Sequence, residues 1–375
     1  MANNSKNDNK VLILHPSLAP YRADFFNKMH EMCNASIYFS YRNVPYLKYN
    51  QQNIISQLKF EPFYLDKGFE FKERPIRFGL IKILSRGKFD IVITSEFSQS
   101  TIVAFLYKII CRKKYRLYTL SDDSIFSSKN RSGIRAFLRT FISKNINGVI
   151  YTSNQVGLYN KAHISEKINN LELPIIHDDN VFRKKLFNSL SLSIDKIRKY
   201  HLEQKKIVLF VGRLVDVKNL DLFINAYSKT KEENSVLVLV GDGPLRQELV
   251  NLTEINNIAD NVIFTGHLEG EELYSWYNIA QIFVLPSKKE AFGAVVNEAL
   301  LAGCYTICSK IAGAVSLINN ENGLSFDPGS QSDLTSKIWE ALNKVKPLQI
   351  SEISLRESKM PFTFNEKIET LVSQL

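Results

Sequence analysis

Short apolar runs rich in Val, Ile and Leu, most of them followed by an amphipathic stretch, recur along the chain. VLIL begins at Val11, IVIT at Ile91, LYTL at Leu117 and VIYT at Val149. A second, clearer series follows: IVLFV at Ile207, VLVLV at Val236, VIF at Val262, IFVL at Ile282 and YTIC at Tyr305. Runs this short and this apolar read as strands buried on both faces. Between them, positions such as Leu220, Phe223, Ile224 and Tyr227 fall at helical spacing. The alternation predicts α/β architecture, with parallel sheets covered by helices in two Rossmann-like doubly wound domains.

At 375 residues the chain is long enough for two such domains. Residues 165–206 separate the series. They are irregular, then strongly basic, with eight Lys/Arg against two acids from Phe182 to Lys206. This places a boundary near 178, with a first domain over 1–178 and a second over 179–361. A last helix over 362–375 follows the break at Pro361. In doubly wound sheets ligands sit beyond the carboxyl ends of the strands, so functional residues are expected just after strands, in a cleft between the domains.

Composition narrows the classes further. Hydrophobic residues make up 45% and charged residues 23%, an ordinary globular balance. No apolar run approaches the roughly 18 residues of a membrane-spanning helix. The opening MANNSKNDNK is polar and lacks the apolar core of a secretory signal. Cys33, Cys111, Cys304 and Cys308 are scattered and read as buried, reduced thiols of a cytoplasmic protein. The net charge is +10 and unevenly spread; residues 124–165 hold six Lys/Arg and no acid. There Arg131, Arg135 and Arg139 fall along one stripe of a helix, with Ile134, Phe137, Leu138 and Phe141 on the other face. Such a surface suits an anionic membrane, a phosphorylated substrate or nucleic acid, and equally the solvated face of a packed helix. No nucleic-acid recognition motif accompanies it.

Three segments of the second series carry chemistry. In IVLFVGRLVDVKNLDLFINAY a strand ends at Gly212, Arg213 follows, and Lys218 lies near the start of the next helix. Two cations beside a helix N-terminus make an anion site. Guanidinium grips phosphate oxygens as a fork, and lysine acts as a point charge. In VLVLVGDGPLRQEL, Gly241 and Gly243 permit a tight turn, and Pro244 suits the first helical position. The dinucleotide fingerprint needs a third glycine, which is absent. In PSKKEAFGAVVNEALLAG, a helix starting near Gly293 would aim the amides of Ala291, Phe292 and Gly293 at a second anion, with Glu290 beside it. Glu298 falls more than a turn inside that helix, with Ala291, Ala294 and Leu301. A carboxylate in apolar surroundings needs hydrogen-bond donors, and sugar or ribose hydroxyls would serve. A narrow solvent-facing stripe shared with Asn297 is the alternative.

VGRL with its following KN, GDGPLRQEL, IFVLPSKKEAFGAVVNEALLAG and ENGLSFDPG occur in this order. Over roughly residues 207–330 the chain resembles the donor-binding domain of the retaining GT-B glycosyltransferases of family 4. The first half resembles that family loosely, through its βα pattern and the opening LHPSLAPYRADFF. That opening is similar to the P-x-YR-x-x-F start of members that build bacterial surface polysaccharides, and it makes Tyr21 and Arg22 acceptor-side candidates. The resemblance implies transfer of a hexose-type sugar from a UDP- or GDP-sugar to a saccharide or polyprenyl-diphosphate-linked saccharide, in lipopolysaccharide, capsule or exopolysaccharide synthesis. It implies that Arg213 and Lys218 bind the nucleotide diphosphate and stabilise it as leaving group. Gly212, Gly241 and Gly243 would shape the loops, and Glu290 would contact the donor sugar. The backbone of Ala291, Phe292 and Gly293 would hold phosphate and sugar. Glu298 would hydrogen-bond the ribose, His267 and Leu268 would flank the base, and the last helix would cross back to the first domain. No cofactor or metal is implied beyond the nucleotide-sugar co-substrate, and no D-x-D triplet is present. An anionic membrane surface is the expected partner, and the cytoplasmic face of the plasma membrane the expected location.

The pattern also departs from the family. Its usual glutamate after a glycine pair is replaced in KIAGAVSLI, where Ala312 and Gly313 are followed by Ser316. The histidine that many members place in the first domain has no counterpart by motif among His15, His30 and His163. His15 after the first strand, Glu96 in ITSEFSQS, and Asp122 and Asp123 after LYTL stand as acceptor-side candidates. A capping or turn role is the alternative for the aspartates. Other readings are a GT-B sugar-nucleotide epimerase or phosphorylase, and a non-enzymatic basic protein that binds nucleic acid or membrane.

Overall fold

The computed structural model describes residues 9–42, 50–71, 74–230 and 232–375; most of the polar opening lies outside these. The chain divides into two units. One comprises residues up to Ile175 together with Asn365–Leu375, and the other Ile176–Phe364.

The first unit contains β1 (Val11–His15), β2 (Ser36–Phe39), β3 (Phe63–Tyr64), β4 (Gly68–Phe71), β5 (Arg74–Arg77), β6 (Ile91–Ser95), β7 (Arg116–Ser121), β8 (Gly148–Tyr151) and β9 (Asn170–Glu172). β4 and β5 pair antiparallel. The others form one parallel sheet in the order β3-β2-β1-β6-β7-β8-β9. Its core packs Leu12, Leu14, Val92 and Leu117 against Leu80, Leu84 and Phe105. The helix Phe364–Gln374 ends this unit. Ile368 and Leu371 are buried, Lys367 pairs with Glu172 at 3.0 Å, and the Tyr118 hydroxyl donates to the Leu375 carbonyl at 3.2 Å.

The second unit contains β10 (Lys206–Val211), β11 (Ser235–Val240), β12 (Val262–Gly266), β13 (Ile282–Leu285), β14 (Tyr305–Ser309) and β15 (Gly323–Phe326). All are parallel, in the order β12-β11-β10-β13-β14-β15. Counted from its own first strand this is 3-2-1-4-5-6, the dinucleotide-binding order, whose switch point lies between β10 and β13. The first unit repeats that centre, with its switch point between β1 and β6. β11 and all but the first residue of β10 are buried, because helices cover both sides of the sheet. The helix Leu220–Ser228 supplies Phe223, Ile224 and Tyr227 to that core.

The arginine stripe expected along one helix is divided, because the helix starts at Gly133 and runs to Asn145. Arg131 precedes it, and Arg139 turns inward to Asp123. The apolar side is the exposed one, with Ile134 77% and Phe137 68% accessible. The reason is electrostatic: a nearly buried carboxylate at the end of β7 draws guanidinium groups in. The helix Gln99–Ile110 likewise exposes Leu106, Ile109 and Ile110. Of the four cysteines, Cys111 is exposed and the other three are buried. Among the described residues no helix is long and apolar enough to cross a membrane.

Candidate functional site

Most residues of the expected donor site converge at the carboxyl ends of β10, β11 and β13. The chain leaves β10 through Gly212, turns through Asp216–Lys218, and enters the next helix at Asn219, which is held in the left-handed region at φ 56. The Asn219 amide donates to the carbonyls of Pro286 at 3.3 Å and Pro328 at 3.0 Å. The Lys288 amide donates to the Val217 carbonyl at 3.0 Å, and its ammonium pairs with Asp216 at 2.6 Å. The loop after β10 is thus tied to the loop after β13. Between them Lys218 forms an ion pair with Glu290, each side chain 16% exposed, and the Ser287 hydroxyl donates to the same carboxylate oxygen at 3.2 Å. Burial, with Glu290 next in effect, pushes the nearby Cys308 thiol well above its usual range. Arg213 is exposed, and its side chain has no ion pair or hydrogen bond with the described residues.

Two glycines make this convergence possible. A Cβ on Gly241 would lie 1.8 Å from the Gly212 carbonyl oxygen, at φ +140, and one on Gly243 would lie 2.3 Å from the Leu214 oxygen. The backbones touch there, so no side chain fits. The helix after this turn begins at Arg246, later than Pro244 suggests. The helix expected near Gly293 begins at Val295 and runs to Leu301. Gly293 makes the turn at φ +95. The amides of Ala291, Phe292 and Gly293 donate to no backbone acceptor among the described residues, so they stay available at the switch point.

Glu298 has protein partners that lie outside the sequence motifs. It accepts from the Tyr277 hydroxyl at 2.8 Å and lies 3.4 Å from His177 Nε2. Burial, then the Glu298 charge, raises the Tyr277 phenol well above its usual value. His177 is fixed in turn, its amide donating to Asn297 at 2.9 Å and its ring stacking on Phe182 at 5.0 Å. Sequence reasoning missed His177, Tyr277 and Ser287, which lie outside the glycine-marked segments or carry no charge. At the end of β12, Leu268 is half-buried and His267 is exposed, pairing with Glu269 at 3.1 Å.

The acceptor-side candidates of the first unit gather at its own switch point. His15 ends β1, donates from Nδ1 to the Ser17 carbonyl at 2.7 Å, and packs edge-on to Phe26. Burial, with Arg22 close by, lowers its pKa to about 4, so it is neutral. Arg22 is buried and paired with Asp122, and Tyr21 precedes it in the same turn. Glu96 and Phe97, just after β6, are both left-handed, at φ 61 and 49. Such backbone is strained and concentrates at functional sites. Glu96 accepts from the Asp122 amide at 2.6 Å. Part of it stays exposed, yet desolvation of its carboxyl, then the charges of Asp122 and Asp123, push its pKa up to about 8. Asp123 pairs with Arg131 and Arg139. Burial alone would raise it, but the two guanidiniums outweigh burial and hold it below the usual carboxylate range. The capping alternative fails for both aspartates: they form ion pairs, and Ser124 caps the following helix.

The fold is GT-B, two Rossmann-like units in one chain. Over 98% of this chain and 100% of the other, it is similar to the structure of Anabaena HepE in complex with UDP, with TM-score 0.73 at 17% identity. Residues 193–352 match the family model described as glycosyl transferases group 1. A GDP-mannose-dependent alpha-mannosyltransferase of Corynebacterium glutamicum is 37% identical over 33% of this chain and 28% of its own length. A 2-deoxystreptamine N-acetyl-D-glucosaminyltransferase of Niallia circulans is 25% identical over 61% of each. The chain therefore spans between about a quarter and three fifths of these curated relatives.

Proposed function

We propose that the chain is a retaining, metal-independent glycosyltransferase. It moves a hexose-type sugar from a UDP- or GDP-sugar to a saccharide or lipid-linked saccharide, in the synthesis of a bacterial surface polysaccharide. The observation that carries this reading is the Lys218–Glu290 pair at the switch point of the second unit, with Arg213 unpaired among the described residues and the Ala291–Gly293 amides open beside it. Departure of a nucleoside diphosphate builds negative charge on its leaving oxygen. Preset cations and amides aimed there lower the barrier, and they supply in this mechanism what a metal would otherwise supply. Glu290, oriented by Lys218 and Ser287, keeps lone pairs for the hydroxyls of the donor sugar. Glu298, braced by Tyr277 and His177, keeps others for the ribose, since a carboxylate offers about four acceptor sites. His267 and Leu268 flank the base. The similarity to a UDP-bound fold and to a GDP-mannose-dependent enzyme supports the donor class. The acceptor is met at the cytoplasmic side of an anionic membrane, for which the unbalanced charge of the first unit is suited.

The test is nucleotide release from a panel of UDP-, GDP- and dTDP-sugars, with the anomeric configuration of the product read by NMR. Glu290→Gln should lose transfer from the donor so identified. Full activity in that variant, or an inverted product, would sink the corresponding part of the reading.

A further inference from the structure

The first unit holds a cavity of about 440 Å³ just beyond the carboxyl end of β6. Arg131, Arg135 and Arg139 line one part of it, and Phe97, Ile102 and Leu138 another. Arg131 and Arg139 are both fixed on Asp123, and the Arg139 guanidinium also stands 4.3 Å from the centre of the Phe97 ring. Arg135 is exposed, and its side chain has no ion pair or hydrogen bond with the described residues. From Glu96 to Ser165 the only carboxylates in the sequence are Glu96, Asp122 and Asp123, and both aspartates are already paired. The three arginines of the lining outnumber Glu96 and the Asp123 carboxylate, so net positive charge stands next to an apolar wall. The helices that wall it, Gln99–Ile110 and Gly133–Asn145, are joined by an edge-on contact of Phe105 with Phe141 at 6.0 Å. Their outer surfaces add Leu106, Ile109 and Phe137, between 48% and 68% exposed.

A free saccharide has no use for an apolar wall of this extent, and a nucleic acid has no use for its aliphatic part. An amphiphile with an anionic head uses both. We propose that this cavity binds the diphosphate of a lipid-linked acceptor, gripped by Arg135 beside the preset Arg131 and Arg139. Its hydrocarbon chain lies along Ile102, Leu138 and the exposed apolar residues beyond. Glu96 also lines the cavity, and desolvation, then the charges of Asp122 and Asp123, push its carboxyl upward, which weakens its repulsion of a phosphate. The proposal rests on the glycosyltransferase reading and names the acceptor class for it.

The test titrates the full chain by calorimetry with farnesyl diphosphate and with inorganic pyrophosphate, both in saturating UDP so that a diphosphate site on the second unit is filled. Farnesyl diphosphate should bind at least about tenfold tighter than pyrophosphate. Arg135→Ala should weaken farnesyl diphosphate about tenfold, a charge-assisted fork being worth that much, and Arg135→Lys should recover part of the loss. Leu138→Ser should weaken farnesyl diphosphate and leave pyrophosphate unchanged. Both positions are exposed, so the variants fold. Equal binding of the two probes shows a site for free phosphate and overturns the proposal, as does unchanged affinity in Arg135→Ala. UDP titrated alone reports separately on the donor reading. If UDP fails to bind and farnesyl diphosphate binds, the donor reading falls and this site stands; the converse removes this site alone.

Discussion

At the carboxyl ends of β10 and β13, the exposed Arg213 side chain is unpaired among the described residues, beside the Lys218–Glu290 pair. At the equivalent ends of β1 and β6 the arginines are tied to aspartates. Arg22 is 2% exposed and paired with Asp122, and Asp123 is held by two guanidiniums. The two units share a central strand order, so the same loops converge in both. What differs is whether the charge left there is free for a ligand or spent on the protein itself. Topology decides where a site can form. The balance of paired and unpaired ions decides which side of a reaction it serves: a positive, open site suits a nucleotide diphosphate, and a locked ionic floor suits a fixed surface on which another group acts.

If that contrast is right, removing a cation from the open site costs activity, and removing an anion from the locked one costs stability. Lys218→Ala should lower kcat/KM for nucleotide-sugar turnover by about 10²–10³, the loss seen when one preset donor to a developing oxyanion is removed. Its urea midpoint should move little. A variant that keeps turnover, or loses it only by unfolding, breaks the contrast on its stronger side. Asp123→Ala should cost about 3 kcal/mol, because Arg131 and Arg139 are then left partly buried and unpaired. Urea unfolding can follow the units separately, since Trp276 and Trp339 both lie in the second. The circular-dichroism transition should fall and the tryptophan transition should stay. Gly241→Ala comes next, at about 2 kcal/mol, from left-handed backbone and a Cβ driven against the Gly212 carbonyl. Here the tryptophan transition should fall, and an unchanged midpoint would show that the loops do not need this approach.

The legible parts of the molecule were those set by local chemistry. Strands buried on both faces, such as β10 and β11, announce themselves as unbroken apolar runs. β2 alternates half-buried and buried residues and β3 has only two residues, so neither stands out. Gly212, Lys218 and Glu290 were legible because glycines and charges follow strands in a fixed order. Tyr277 and His177 were not, because what matters about them is a contact with Glu298 made across 21 and 121 residues of chain. Which side of the helix Gly133–Asn145 packs inward was not legible either, for a related reason. Periodicity separates a charged stripe from an apolar one but does not say which is buried, and here Asp123, outside the helix, decides.

The smallest effect concerns Glu96, which stands after β6 as Pro286–Glu290 stands after β13. Its folded pKa, about 8, lies above the 4.5 of an unperturbed glutamate. A carboxyl raised on folding favours the folded state below the unfolded pKa, and that contribution is lost as pH rises through the folded value. The first unit should therefore lose a little stability between about pH 4.5 and pH 8, and the loss is limited because solvent still reaches part of the side chain. The groups around it are Asp122 and Asp123, which push the value up, and Arg139 with the Asp122 amide, which pull it down. His15 titrates on the other side. With its pKa lowered from 6.5 to about 4, it costs stability as pH falls through that range. Glu96→Gln removes the first slope and leaves the second. Urea midpoints of the circular-dichroism transition at pH 7, 7.8 and 8.5, above the range in which His15 titrates, should decline in the parent and stay nearly level in Glu96→Gln. Parallel profiles would mean that Glu96 is as free as an ordinary surface acid, and the locked character of the first switch point would then rest on Asp123 alone.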